Sequence, residues 1–420
     1  MFSRQLRALF VIGLLSIFTV SGAEAGVGHL AMMYGILPND VALAGAGTAG
    51  FGDAAAVYHN PAAIAETEHT LMTMGYLFAQ PMFRGGHGGR ERNFREPNAV
   101  VSMGAALDIG KMFVNDYPVA MGITMLVDDN MGTLLNFDDE RYPEGNYQRF
   151  GVRSFMTITS WGVRVFRGLN LGGGFILSSK SEVTLDQDVQ LSGRTENEQM
   201  TLTGHPAYGF LVGAQYVTSD WRVGAAYRGE LQSVVDPVSG QTRVKAGEFV
   251  FQEYPTDMRF KDGFIPQMVS VGATARIAWA WHAVGQIDWQ NWDRMNDEMR
   301  EGDDASHDSD IRTRDVWVPR IGTMLEPAPE WQLRAGYAYE ASPFERWGSG
   351  NNLVLDNDLH RVSAGFGFSL HPRALRTPVT FDAAGFYASL VPREERTSDD
   401  QLLNSSGYLV GGSTSVTLRF

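Results

Sequence analysis

The chain has 420 residues, 47 glycines, no cysteine and a formal net charge of −14. The acid excess excludes a nucleic-acid partner, because too few cations are present to replace the counterions of phosphate. Without cysteine there are no disulfide staples, so an exported chain of this size must rely on a large core or a closed hydrogen-bonded wall.

In chain order, residues 1–25 read as a secretory signal peptide. Arg4 and Arg7 give a positive start, Ala8 to Val20 an apolar core too short to span a bilayer, and Ala23-Glu24-Ala25 a cleavage site. No later run of 18 apolar residues suggests a transmembrane helix. Residues 26–69 show no strand alternation and are built largely of alanine and glycine. Within them, Asp53-Ala-Ala-Ala-Val-Tyr-His-Asn-Pro-Ala-Ala63 places Asp53 to cap a short helix through Ala54, Ala55 and Ala56, with Pro61 ending or kinking it. Such a segment buries little by itself but suits the inside of a barrel too wide to fill with its own side chains.

From residue 70 onward the period is 2. Trp221, Val223, Ala225 and Tyr227 oppose Arg222, Gly224 and Ala226; Val362, Ala364, Phe366, Phe368 and Leu370 oppose Arg361, Ser363, Gly365, Gly367 and Ser369. Strands are expected near 70–79, 99–108, 117–127, 150–167, 169–190, 200–218, 220–235, 266–279, 280–292, 312–326, 330–341, 358–371, 376–391 and 406–420. Tight connections at 167–170, 218–220, 326–330 and 371–375 alternate with long polar loops near 80–98, 128–149, 236–265, 293–311, 342–357 and 392–405, the loop near 191–199 being shorter. The expectation is an all-β fold: a transmembrane antiparallel β-barrel of about 14 strands (70–420) with a small N-terminal helical hatch (26–69) in its lumen. It would sit in the outer membrane of a Gram-negative bacterium, with both termini periplasmic. The closing Ser-Thr-Ser-Val-Thr-Leu-Arg-Phe420 alternates and ends on an aromatic, as a barrel strand read by the assembly machinery would.

Four motifs in fixed order resemble the FadL/TodX family of outer-membrane transporters. They are Asp53 to Ala63 with Asn60-Pro61-Ala62 at its heart; Phe264 to Trp292; Trp331 to Pro343; and Leu355 to Phe368. The resemblance implies a hatch-plugged barrel that takes up long-chain fatty acids or other hydrophobic compounds passively, as a monomer in lipid and lipopolysaccharide, and releases them sideways through a strand kink. The alternatives are a channel specific for aromatic hydrocarbons, or a general porin or structural barrel; a porin would not begin with an Ala/Gly hatch.

The candidate hatch residues are Asp53, Asn60, Pro61 and Ala62. Ligand capture is assigned to apolar groups in outer loops: Phe344 and Trp347, and Leu134, Leu135 and Phe137. Arg222, Arg276, Arg334 and Arg361 stand on the polar strand faces and are expected to point into the lumen, where a guanidinium suits a carboxylate ligand. Pairing is expected to relax along Val100 to Gly110, at Gly104 and Gly110. The acidic loop Asp293 to Asp310 lacks EF-hand spacing and reads as a solvated loop, and Gly85 to Gly89 as a flexible outer loop. There is no GxSxG or HExxH motif. No enzyme activity, cofactor or metal is expected.

Overall fold

The computed structural model describes residues 35–420 apart from 51, 68, 88–89, 96, 111–117, 129–146, 149–155, 191–194, 233–234, 248, 261–263, 296–310, 348–353, 372–376 and 397–401. The signal segment, Leu134, Leu135, Phe137 and most of the acidic loop therefore lie outside the described residues.

Fourteen strands form the wall: β1 Leu71–His87, β2 Asn98–Asp108, β3 Val119–Asp128, β4 Met156–Phe166, β5 Leu169–Gln190, β6 Thr195–Val217, β7 Trp221–Arg228, β8 Gln267–Ala278, β9 Trp281–Asn291, β10 Val316–Ala328, β11 Trp331–Glu340, β12 Leu359–Leu370, β13 Val379–Arg396 and β14 Leu402–Arg419. Each pairs antiparallel with the next. β14 then pairs with β1 from Leu71↔Arg419 to His87↔Leu403, which closes the barrel and leaves no wall edge. Beyond it, Phe420 N–H donates to Thr70 O at 2.8 Å.

Alternation sets the two faces. On β1, Thr73, Gly75, Leu77 and Ala79 face inward and are buried, while Met74, Tyr76 and Phe78 are exposed on the outside. Large apolar residues are exposed in the same way around the wall, including Trp161, Val223, Ile321 and Phe381. That band suits lipid tails. Trp221, Trp279, Trp281 and Trp331 ring the short-turn rim, and Tyr208, Trp317, Tyr387 and Tyr408 the long-loop rim, as interfacial aromatics do. The tightest turn, Arg167-Gly168 between β4 and β5, uses glycine at φ +81, a conformation that disfavours a Cβ.

Three features depart from expectation. β2 is paired without interruption on both sides, from Asn98↔Ala79 to Ala106↔Leu71 and from Val100↔Asp128 to Asp108↔Ala120, so the wall does not relax along Val100 to Asp108. The β10–β11 ladder, by contrast, stops at Arg320↔Ala338, and the two segments meet again at Arg314, whose N–H donates to Pro343 O at 2.8 Å. Pro319 lies in this interval and brings no N–H to either neighbour. Second, Gly85 to His87 belong to β1 and pair with Arg90–Arg92 and with β14, so they are not loop. Third, the region read as a long loop at 236–265 contains a hairpin, Val235–Ala246 with Phe249–Phe260, whose first strand pairs parallel with the outer part of β5.

Candidate functional site

Residues Gly35 to Thr67 thread through the lumen. Helix α1 (Pro38–Ala42) starts on proline, and the Asp40 carboxylate accepts from Ile36 N (2.8 Å) and Leu37 N (2.7 Å). The same carboxylate lies 2.8 Å from His59 Nε2, which ties α1 to the end of helix α2 (Ala56–His59). Asp53 Oδ1 accepts from Ala55 N and Ala56 N, both at 2.9 Å. The helix begins at Ala56 rather than Ala54 and its cap position is Ala55, which makes no side-chain bond, so Asp53 binds the turn that leads into α2 instead of capping a helix from Ala54. Burial is the main force raising the Asp53 carboxyl from 3.8 to about 6, and neighbouring Asp40 adds to it against the two helix N–H groups.

Asn60 is the pivot, with no exposed surface. Its Nδ2 donates to Thr48 O (2.8 Å) in the hatch and to Ala214 O (3.1 Å) in β6, and its Oδ1 accepts from Ala62 N (3.1 Å), capping a 3₁₀ turn over Pro61–Glu66. One side chain thus joins two hatch segments and the wall. Pro61 opens that turn rather than merely ending a helix, and Ala62 is fully buried beneath it.

The wall meets this segment with glycine. A Cβ at Gly104 would stand 2.6 Å from Ala54 Cβ; at Gly162, 2.7 Å from Pro61 O; at Gly336, 2.7 Å from Ala44 N. Gly213 and Gly224 leave space for Asn60 in the same way. These inward positions on successive strands make a belt that lets backbone approach backbone. Hydrogen bonds fill in between: Thr124 Oγ1 donates to Ala54 O (2.8 Å), Ser160 Oγ to Val57 O (2.8 Å), Thr274 Oγ1 to Ala49 O (3.0 Å) and Ser363 Oγ to Ala42 O (2.9 Å).

On the long-loop side of this belt the lumen has two unlike arcs. From β13 through β1 to β6 it is apolar, with Phe386, Leu409, Phe83, Leu126, Met156 and Leu211 all buried. From β7 to β12 it is charged. Arg320 holds Asp288 (2.8 Å) and Glu340 (3.3 Å) and donates to Ala44 O (2.6 Å); Arg361 lies 3.5 Å from Glu340. Arg228 stacks over the Tyr58 ring at 4.2 Å and donates to Tyr58 O (3.3 Å) and Ser270 Oγ (3.1 Å). All three guanidinium groups are buried.

The arginines marked from sequence are therefore split. Arg361 is on the long-loop side of the hatch, whereas Arg222, Arg276 and Arg334 are on its short-turn side. Arg334 faces inward and binds Asp382 at 2.9 Å. Arg276 does not point into a closed lumen: it is exposed at the short-turn rim, bonded to Asp220, whose carboxyl it holds below its usual range. Arg222 is half-buried near Glu66. Phe344 is buried rather than exposed, in the cluster that holds Trp292, Val316 and Leu359, and its carbonyl accepts from Arg393 Nη1 at 2.8 Å. Trp347 lies in a short strand paired with Ile311–Thr313. Among the described residues there is no cluster of three or more metal-ligating side chains. Sequence reasoning missed Arg228, Asp288, Arg320 and Glu340. Their signal was available, as ionisable groups on the inward register of otherwise apolar strands.

A family model described as outer membrane protein transport protein (OMPP1/FadL/TodX) matches residues 33–413. Alkane uptake protein A of Marinobacter nauticus is 23% identical over 429 residues, covering 94% of this chain and 92% of that protein. Among solved structures, a Pseudomonas aeruginosa FadL homologue aligns with TM-score 0.58 at 14% identity, covering 96% of this chain and 99% of the other. The Pseudomonas putida toluene transporter TodX aligns with TM-score 0.57 at 14% identity, covering 92% and 99%. At that identity the structural likeness speaks for the fold alone.

Proposed function

The chain belongs to the outer membrane transport protein family of OMPP1, FadL and TodX, and on that premise we propose that it takes up aliphatic hydrocarbons across the outer membrane through a hatch-gated chamber. The observation that carries this is the apolar arc above the hatch, set against a charged arc whose Arg320 and Arg361 are already engaged by Asp288 and Glu340. A hydrocarbon gains by leaving water for the first arc and asks nothing of the second. Residues 26–69 act as the hatch, and Tyr58, clasped by Arg228, couples hatch to wall. The protein works as a monomer, without a coupled energy source or catalysis, with both termini in the periplasm. Barrel assembly machinery inserts it, and lipopolysaccharide surrounds its outer rim.

A second cargo is favoured by one feature. No carboxylate lies within salt-bridge distance of buried Arg228 among the described residues, and its Nε has no hydrogen-bond partner. A fatty-acid carboxylate would supply one. The name of the M. nauticus relative favours alkanes.

Release is proposed sideways, through the interval where the β10–β11 ladder stops. The test is uptake of labelled hexadecane, oleate and toluene by cells lacking their own transporter. Hexadecane entry that persists in Arg228→Gln supports the first reading; oleate entry that disappears in it supports the second. Toluene alone would make the channel aromatic-specific, and entry of none of the three with leakage of small sugars would make it a porin. Pro319→Val, which restores an N–H to the interval, should slow uptake if cargo leaves there, and unchanged uptake would refute that exit.

A further inference from the structure

The wall part of β5 runs from Leu169 to Ser178, the last residue paired with β4. β5 then continues to Gln190, and with β6 and the 235–260 hairpin it forms a four-stranded wing standing outside the barrel. At ~3.3 Å per residue the twelve residues past Ser178 carry it about 40 Å further. The wing's tip therefore lies well past the last pairing that β5 makes in the wall.

The tip is apolar. Phe249 is 69% exposed, Val250 37% and Phe251 63%. Three consecutive exposed apolar residues in a strand are a cost unless something covers them. The hairpin's construction keeps them outward. Asp188, buried on β5, holds Arg243 (2.9 Å) and Lys245 (2.6 Å), which fixes the hairpin to the wing below the tip. Gly247 turns at φ +64, with open space where a Cβ would stand. The register shift after Val244, where Gln252 gives way to Val250 as the next partner, leaves Phe251 as the bulged residue.

We propose that this tip inserts into the surface of a liquid hydrocarbon phase, docking the transporter on a droplet of its cargo. The inference rests on the uptake reading for the identity of that phase. Reach argues for it: a droplet outside the cell is held off by the polar sugar layer of the outer leaflet, and the wing carries Phe249 to Phe251 twelve strand residues past the last wall pairing of β5. The net charge of −14 opposes a second copy as the occupant.

The test uses vesicles carrying the full-length protein, mixed with hexadecane droplets, beside phosphatidylcholine vesicles as the competing surface. Phe249→Asn with Phe251→Asn should bind at least tenfold fewer droplets, and Phe249→Leu with Phe251→Leu should bind as the parent does. Hexadecane delivered singly in cyclodextrin should enter equally in all three. The proposal is overturned if the Asn variant binds droplets like the parent, if the tip binds phosphatidylcholine as strongly as hexadecane, or if the parent proves dimeric through the tip. Loss of cyclodextrin-delivered uptake in the Asn variant would make the tip an entry site for single molecules and overturn it too. If the parent itself takes up no cyclodextrin-delivered hexadecane, the transport reading fails while the droplet result still decides the docking claim.

Discussion

Replacing Asn60 with alanine tests whether one side chain holds the hatch shut. The change removes two donated bonds and one accepted bond, and strands Thr48 O and Ala62 N, while Ala214 O keeps its place in the wall ladder. A buried polar group left unpaired costs ~1–3 kcal/mol, so two of them, partly relieved by relaxation and water, come to about 3–4 kcal/mol. The barrel ladders are untouched, so the loss falls on local opening of the hatch. At tenfold per 1.4 kcal/mol, the open population rises by roughly 100-fold or more. The chain has no cysteine, so a single Thr48→Cys, buried and with its own hydroxyl unbonded, reports opening by its rate of maleimide labelling. Asn60→Ala in that background should label about 100 times faster and pass small ions. Equal labelling rates would refute the claim that Asn60 is the pivot.

Gly162→Ala should also loosen the hatch, because its Cβ would meet the backbone at Pro61 O (2.7 Å) and Ala65 N (2.8 Å); Gly285→Ala, with open space at its Cβ, is the control that should label like the parent. Arg320→Met should lower the thermal midpoint in detergent, since it leaves Asp288 buried without its cation and Glu340 with Arg361 alone, a loss of about 3–5 kcal/mol; an unchanged midpoint would show Arg320 to be replaceable. The raised Asp53 carboxyl makes hatch closure pH-dependent. Its stabilising share is full below about pH 4 and fades as pH rises through 6, by at most about 3 kcal/mol. Ion leakage should therefore increase from pH 4 to pH 7 in the parent and stay flat in Asp53→Asn, and a parent with less leakage at pH 7 would reverse the sign.

What could be read from sequence follows from which environment a residue type answers to. Lipid on one face and a lumen on the other enforce period 2, so β5 was placed at 169–190 to the residue and β12 within one. The wing hairpin lies outside the bilayer, where no lipid demands an apolar face, and Pro237, Gly240 and Pro255 break up what alternation remains. It therefore read as loop. Asn60-Pro61 was legible as a motif, but its three bonds reach residues as far as Ala214, and no local pattern states that. The glycine belt was visible as tiny residues on the polar face, yet tininess alone does not distinguish a water-filled lumen from one pressed against a second backbone. The two cases differ in what an added methyl would strike. At Gly162 it strikes the hatch main chain, and at Gly285 it strikes nothing.

The same reasoning explains why the arginines divided as they did. Alternation fixes the face of a residue but not its depth. Arg334 and Arg361 both point inward, yet one lies beneath the hatch with Asp382 and the other above it with Glu340. Depth is set by strand tilt and by where the hatch rests. The hatch rests where glycine on one strand after another lets it, and that belt therefore decides which charges a cargo entering from the loops can meet. A seat made of close backbone contacts and single hydrogen bonds is stiff when complete and fails locally when one member is lost. The gate proposed above, opening without an energy source, needs that property: each contact is small enough to be given up, and the barrel ladders stay whole when it is.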